Sequence, residues 1–124
     1  MPYIKADNTI FCVDDPLSQY YNRIVDIDKV KKDWSSAEHM LLDNDFYKYG
    51  VVIDYNLSNT EAGKGSCIFL HIWRSAKDGT LGCTAVEENA MKGILSWLDI
   101  SHKPILVQAP ENEYNELKKR YFLP

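Results

Sequence analysis

Residues 66–73 (SCIFLHIW) are apolar on both sides of an extended chain. Ile68, Leu70 and Ile72 fall on one side, Cys67, Phe69, His71 and Trp73 on the other, the pattern of a central strand. Residues 49–56 (YGVVIDYN) alternate instead, with Tyr49, Val51, Ile53 and Tyr55 opposite Gly50, Val52, Asp54 and Asn56, and predict a second strand. Ile105 to Val107, after Pro104, predicts a short last strand. Residues 87–98 (EENAMKGILSWL) switch to helical spacing: Ala90, Met91, Ile94, Leu95, Trp97 and Leu98 line one face, with Thr84 as the expected cap. Pro110 opens a second helix, acidic first (Glu111, Glu113, Glu116) and basic last (Lys118, Lys119, Arg120), as the helix dipole favours. Ser35-Ser36-Ala37-Glu38 has the form of a capping box and predicts a short helix through His39 to Leu42. Residues 1–34 read as loops with short extended pieces around the turn signal Asp14-Asp15-Pro16. Residues 57–65 and 74–81 read as connections. No repeat or linker-like stretch interrupts residues 1–124, which predicts one domain. Strands and helices alternate only in part, which argues for an α+β fold.

The chain has 124 residues, one domain's worth. Eighteen acidic against fourteen basic residues give a net charge of −4, the wrong sign for a nucleic-acid footprint. No apolar run is long enough for a transmembrane helix. The first twenty residues carry Lys5, Asp7, Asp14 and Asp15 and no apolar core, so no export signal is expected in that stretch. Eight Tyr, four Phe and three Trp favour strands or a surface that contacts sugar or peptide.

Three cysteines, Cys12, Cys67 and Cys83, leave at least one thiol free. A nucleophilic cysteine needs a base within reach and surroundings that favour thiolate. Cys67 and His71 share a strand face, but four residues at ~3.3 Å each put their backbones ~13 Å apart. Cys67 therefore reads as a core residue, and Cys12, beside a turn, as structural or incidental. Cys83 follows Gly82, precedes the helix at 87–98, and is joined to the His71 strand by a polar loop that would bring the two side by side. A helix start just after Cys83 would lower its thiol pKa. Against this stands the plainer reading of a structural cysteine and a structural strand-end histidine. His39, on the expected short helix, and His102, in a loop, read as structural. No C-x-x-C or H-x-x-x-H pair is present, so no metal site is expected. Asp14, Asp15 and Glu38 could face a hard cation, but a solvated turn explains them more simply. Gly63-Lys64-Gly65-Ser66 precedes a strand rather than a helix and fails as a phosphate loop.

Gly65-Ser66-Cys67-Ile68-Phe69-Leu70-His71-Ile72-Trp73, followed by Thr80-Leu81-Gly82-Cys83-Thr84-Ala85-Val86, resembles the L,D-transpeptidase (YkuD-type) catalytic domain. The resemblance is to its divergent branch, G-S-x-I-F-x-H-x … T-x-G-C-x-A. Val13-Asp14-Asp15-Pro16 with Ser18, Tyr21 and Asn22, then Ser36-Ala37-Glu38, Tyr49-Gly50-Val51-Val52-Ile53 and Tyr55-Asn56, also resemble that branch, so residues 2–110 are covered. Two departures from the commoner [S/T]-H-G-C-[IV]-R motif stand out: Leu81 replaces its histidine and Ala85 its arginine. The family's usual His-Gly is here His71-Ile72. The family domain carries strands ahead of the segment matching Pro2-Tyr3, so the resemblance implies a mixed, barrel-like sheet with peripheral helices and its N-terminal strands missing.

The resemblance also implies a chemistry. Cys83 would be the nucleophile and His71 its base, with a carbonyl of Ile72 or Trp73 orienting the imidazole. The N–H groups of Gly82 and Cys83 would form an oxyanion hole. Trp73, Arg74 and Thr80 would contact substrate, and no cofactor is implied. The substrates would be peptidoglycan stem peptides, a tetrapeptide donor and an amine acceptor, in the bacterial cell envelope or periplasm. Two rival expectations share these residues: a hydrolase on the same dyad (an L,D-carboxypeptidase or a crosslink-cleaving amidase) and a non-catalytic peptidoglycan-binding relic.

Overall fold

The computed structural model describes residues 3–124, so Pro2, at the head of the resemblance, lies outside the described residues. Six short strands form two three-stranded sheets. The first holds β1 (Ile10–Val13), β2 (Arg23–Asp26) and β3 (Ala37–His39) in the order β2-β1-β3, all antiparallel. The second holds β4 (Gly50–Val52), β5 (Phe69–Ile72) and β6 (Thr84–Val86) in the order β4-β5-β6. There β4 is antiparallel and β6 parallel to β5, so this sheet is mixed. Two α-helices follow, α1 (Glu88–Trp97) and α2 (Glu111–Tyr121). The fold is α+β as the pattern implied. The barrel-like core is corrected to two open sheets: among the described residues no strand closes a barrel.

Every residue of β5 is buried, which agrees with its apolar character on both sides. One side, Leu70 and Ile72, packs on Met91 of α1, joined by Tyr49, Val51, Ile53, Ile94 and Leu95. The other side turns toward the first sheet, where Phe69 packs with Cys12 and Cys67. In the first sheet Val13 and Val25 bury the Trp34 ring. Two covalent or polar links tie the sheets together. Cys12 of β1 is disulfide-bonded to Cys67, just ahead of β5. The buried Asn22 donates to the carbonyls of Tyr55 (3.1 Å) and Asn56 (2.7 Å) and accepts from the Cys67 N–H (2.9 Å).

Several local expectations are overturned by tertiary contacts. Residues 35–42 form no helix. The Ser35 N–H and hydroxyl both donate to the buried Asp15 carboxylate at 2.7 Å, and Ala37 to His39 pair with β1 as a strand. Asp15 is thus no solvated turn residue. Cys67 adopts φ 56°, so the strand starts at Phe69 rather than Ser66. Thr84 lies within β6, and the side chain of Glu87 caps α1 by accepting from the Ala90 N–H at 3.3 Å. Ile105 to Val107 join no sheet and are largely exposed. Trp97 is 70% exposed, off the apolar face of α1.

Candidate active site

β5 carries His71, and Cys83 is the residue just ahead of β6. The register pairs Leu70 with Thr84 and His71 with Ala85, which puts Cys83 across from Phe69. Cys83, Phe69 and His71 therefore share one face, with the cysteine and histidine as diagonal neighbours. The parallel pairing corrects the expected side-by-side return strand: the 74–83 connection runs the length of the strand before β6 begins. No hydrogen bond joins the imidazole and the thiol among the described residues.

The imidazole is buried, and its Nδ1 lies 2.8 Å from the Ile72 carbonyl. Only a protonated Nδ1 can donate there, which leaves Nε2 unprotonated in the neutral ring and able to take a proton. Of the two carbonyls expected to orient His71, Ile72 is the one engaged. The Trp73 N–H instead donates to the Val86 carbonyl and extends the ladder. Gly50 lies opposite His71 on β4, so no side chain from that strand crowds the ring.

The Cys83 sulfur sits half-buried against the disulfide and Phe69. It accepts from the Phe69 N–H at 3.4 Å and stands 3.6 Å from the Cys67 carbonyl. Burial pushes its thiol above the ordinary value, the nearby Glu38 carboxyl adds to this, and the Phe69 N–H opposes it. The lowered thiol expected from a helix start is corrected: α1 begins only at Glu88, with all of β6 between. The Gly82 N–H makes a long contact to Thr80 Oγ1 (3.4 Å), and Thr80 Oγ1 donates to the Cys83 carbonyl. No acceptor among the described residues takes the Cys83 N–H. Gly82 has φ +139°, a conformation that side chains disfavour, and this is what lets the chain turn into Cys83.

His71, Ile72, Trp73, Arg74 and Thr80 line a single cavity of about 260 Å³, together with Phe46, Asp78, Gly79 and Ala85. The Arg74 guanidinium lies over the Phe46 ring at 5.4 Å. Cys83 is not part of this lining; its sulfur faces the disulfide. The cavity thus gathers His71, Trp73, Arg74 and Thr80 and leaves Cys83 outside its lining. Comparison with family models, curated proteins and solved structures returned no match.

Two further residues stand near His71 in roles the sequence did not indicate. Tyr47 Oη donates to Glu38 Oε2 at 2.8 Å, and its ring stands edge-on to His71 at 5.3 Å. Glu38 reads in sequence as part of a helix cap, and Tyr47 is one aromatic among many. The pairing of Glu38 with Cys12 across β3 and β1 brings the one, and the packing of the Asp45–Tyr47 turn on Phe69 brings the other. Burial, first, and the Glu38 partner raise the Tyr47 hydroxyl, which stays protonated as a donor. His39 stacks on Phe11 at 4.7 Å from within β3, and His102 meets Asp99 in an exposed turn. Among the described residues no group of metal-ligating side chains gathers.

Proposed function

We propose that this chain is a cysteine acyltransferase of the L,D-transpeptidase type acting on peptidoglycan stem peptides. The observation that carries the reading is the Cys83–His71 pair on one face of adjacent strands, with Nδ1 of the histidine committed to the Ile72 carbonyl. In this scheme His71 Nε2 takes the Cys83 proton as the sulfur bonds to the donor's carbonyl carbon. The N–H of Cys83 and that of Gly82, freed from its long contact, stabilise the oxyanion. The C–N bond then breaks, and His71 returns the proton to the leaving amine. An amine of a second stem peptide resolves the thioester, or water does in the hydrolase form of the same reaction. Trp73, Arg74 and Thr80 line the place where the peptide would lie. The two open sheets would correspond to part of the family's barrel-like core. The Cys12–Cys67 disulfide supports a location outside the reducing cytoplasm, in the cell envelope.

One observation favours a second reading. The half-buried Cys83, its thiol raised and not bonded to His71, fits a non-catalytic peptidoglycan-binding domain. One experiment separates the two. Tetrapeptide muropeptides are incubated with the protein, with and without an amine acceptor, and the products are weighed by mass spectrometry. Products that Cys83→Ala fails to make support the enzyme, and the acceptor arm tells transfer from hydrolysis. Turnover by Cys83→Ala within tenfold of the unmodified protein ends the assignment, because losing a covalent nucleophile removes many orders of magnitude. No turnover by either protein, with muropeptide still bound, favours the binding domain.

A further inference from the structure

We propose that Glu38 and Tyr47 form a positioning pair that fixes the His71 imidazole for proton exchange with Cys83, an inference that rests on the acyl-transfer reading above. The strand backbone places the His71 Cα, and the Ile72 carbonyl holds Nδ1 at 2.8 Å. Neither contact stops the ring from rocking about that bond. Tyr47 does: its ring meets the imidazole edge-on, with centroids 5.3 Å apart at 84°, and meets Phe69 in the same way at 5.7 Å and 74°. Edge-to-face pairs at these distances are attractive and directional.

Beyond its packing on the Phe69 cluster, Tyr47 has one polar anchor. It ends a single 3-10 turn, Asp45–Tyr47, in which no residue is fully buried. Its hydroxyl is anchored at 2.8 Å by Glu38, a residue of the other sheet. Glu38 in turn lies in register with Cys12, whose disulfide ties β1 to the segment before β5. A continuous path therefore runs from the covalent link, through β3 and the Tyr47 ring, to the base. Nothing in it needs to touch substrate, so both residues position the base rather than react.

The test reads the His71 ring and turnover separately. Carbon-13 NMR follows the His71 Cε1–Hε1 resonance, and kcat and KM are measured on tetrapeptide stems. Glu38→Ala and Tyr47→Phe remove the anchor while the Tyr47 position keeps its ring. Each is expected to shift or broaden the His71 resonance and to lower kcat about tenfold with KM within about twofold, since a ~1 Å misplacement can cost ~10²-fold in rate. Glu38→Gln retains an oxygen acceptor for the Tyr47 hydroxyl and is expected to recover most of the kcat lost in Glu38→Ala. An unmoved His71 resonance in Glu38→Ala overturns the proposal. So does a moved resonance with unchanged kcat, or a Glu38→Gln variant as impaired as Glu38→Ala at equal melting temperature. If Cys83→Ala itself keeps turnover, the acyl-transfer reading falls, while the NMR comparison still decides whether the pair holds His71.

Discussion

At the scale of single residues, the chemistry turns on where Cys83 is buried. Burial raises its thiol, Glu38 adds to that, and the Phe69 N–H is the one opposing contact. Iodoacetamide labelling of Cys83 should therefore have a pH midpoint above that of a free cysteine, and Glu38→Gln should bring it down. A midpoint below that of free cysteine would show that the sulfur is not buried as described. The sign for stability follows from linkage: the folded protein holds this proton more tightly than the unfolded chain. The thiol's stabilising contribution is full below about pH 8.5 and is lost as pH rises through the folded value. Gly82 is the second decisive residue. A Cβ there meets Ile68 Cδ1 at 3.5 Å, an ordinary contact, so the strain of Gly82→Ala comes from its φ of +139°. That variant should lower turnover by tenfold or more and lower the melting temperature by a few degrees, because the strain falls just where the backbone presents Cys83. Gly79 differs: it has open space around its Cβ position, so its substitution does not strain the loop.

Between elements, the Cys12–Cys67 bond is the strongest single tie, linking residues 55 apart in sequence. Closing a loop of that length stabilises by about 4 kcal/mol in the chain-entropy account. The Cys12→Ser/Cys67→Ser double variant should melt more than ~10 °C lower, measured by circular dichroism. A shift of only a degree or two would mean that Asn22 and the packing around Phe69 hold the sheets together alone. The 74–83 connection joins the His71 strand to Cys83 in a parallel crossing and walls the cavity. Deleting Lys77-Asp78 should cut turnover far more than stability, since residues 74–80 are exposed and bury no core side chain. Unfolding in proportion to lost activity would show instead that the loop is part of the core.

Over the whole molecule, the stabilising contacts concentrate around the two sheets and α1, while α2 buries no residue. Removing residues 111–124 should leave the melting temperature within a few degrees. Acid should act more strongly. Hydrogen bonds from the Ser35 and Leu17 backbones, then from the Ser35 hydroxyl, hold the Asp15 carboxyl below its ordinary value, and the Ser18 hydroxyl does the same first for Asp33. Groups lowered in the folded state stabilise it above the ordinary carboxylate range and lose that contribution as pH falls through their folded values. Melting temperature should thus fall on acidification, and Asp15→Asn should flatten that fall while lowering stability at neutral pH.

Hydrophobic periodicity revealed β5, the core of β4 and α1, Pro110 with the acidic-to-basic charge order revealed α2, and the order of these elements gave the α+β class, because each depends on side chains within one element. The argument that set Cys67 aside assumed a strand from Ser66; Cys67 instead lies ahead of β5 at φ 56° and is held in the disulfide, which leaves Cys83 as the free thiol. Pairing between distant segments was not legible. Residues 35–38 have a helix-cap pattern, yet Ala37–His39 form a strand, because Asp15 takes the Ser35 donors and β1 offers an open edge. Ile105 to Val107 have strand character and pair with no strand among the described residues. The choice of Cys12 for Cys67, the parallel register that sets Cys83 across from Phe69, and the arrival of Glu38 and Tyr47 beside His71 all belong to tertiary structure. Local propensity fixes which residues can face a common side; only packing between sheets decides which of them meet.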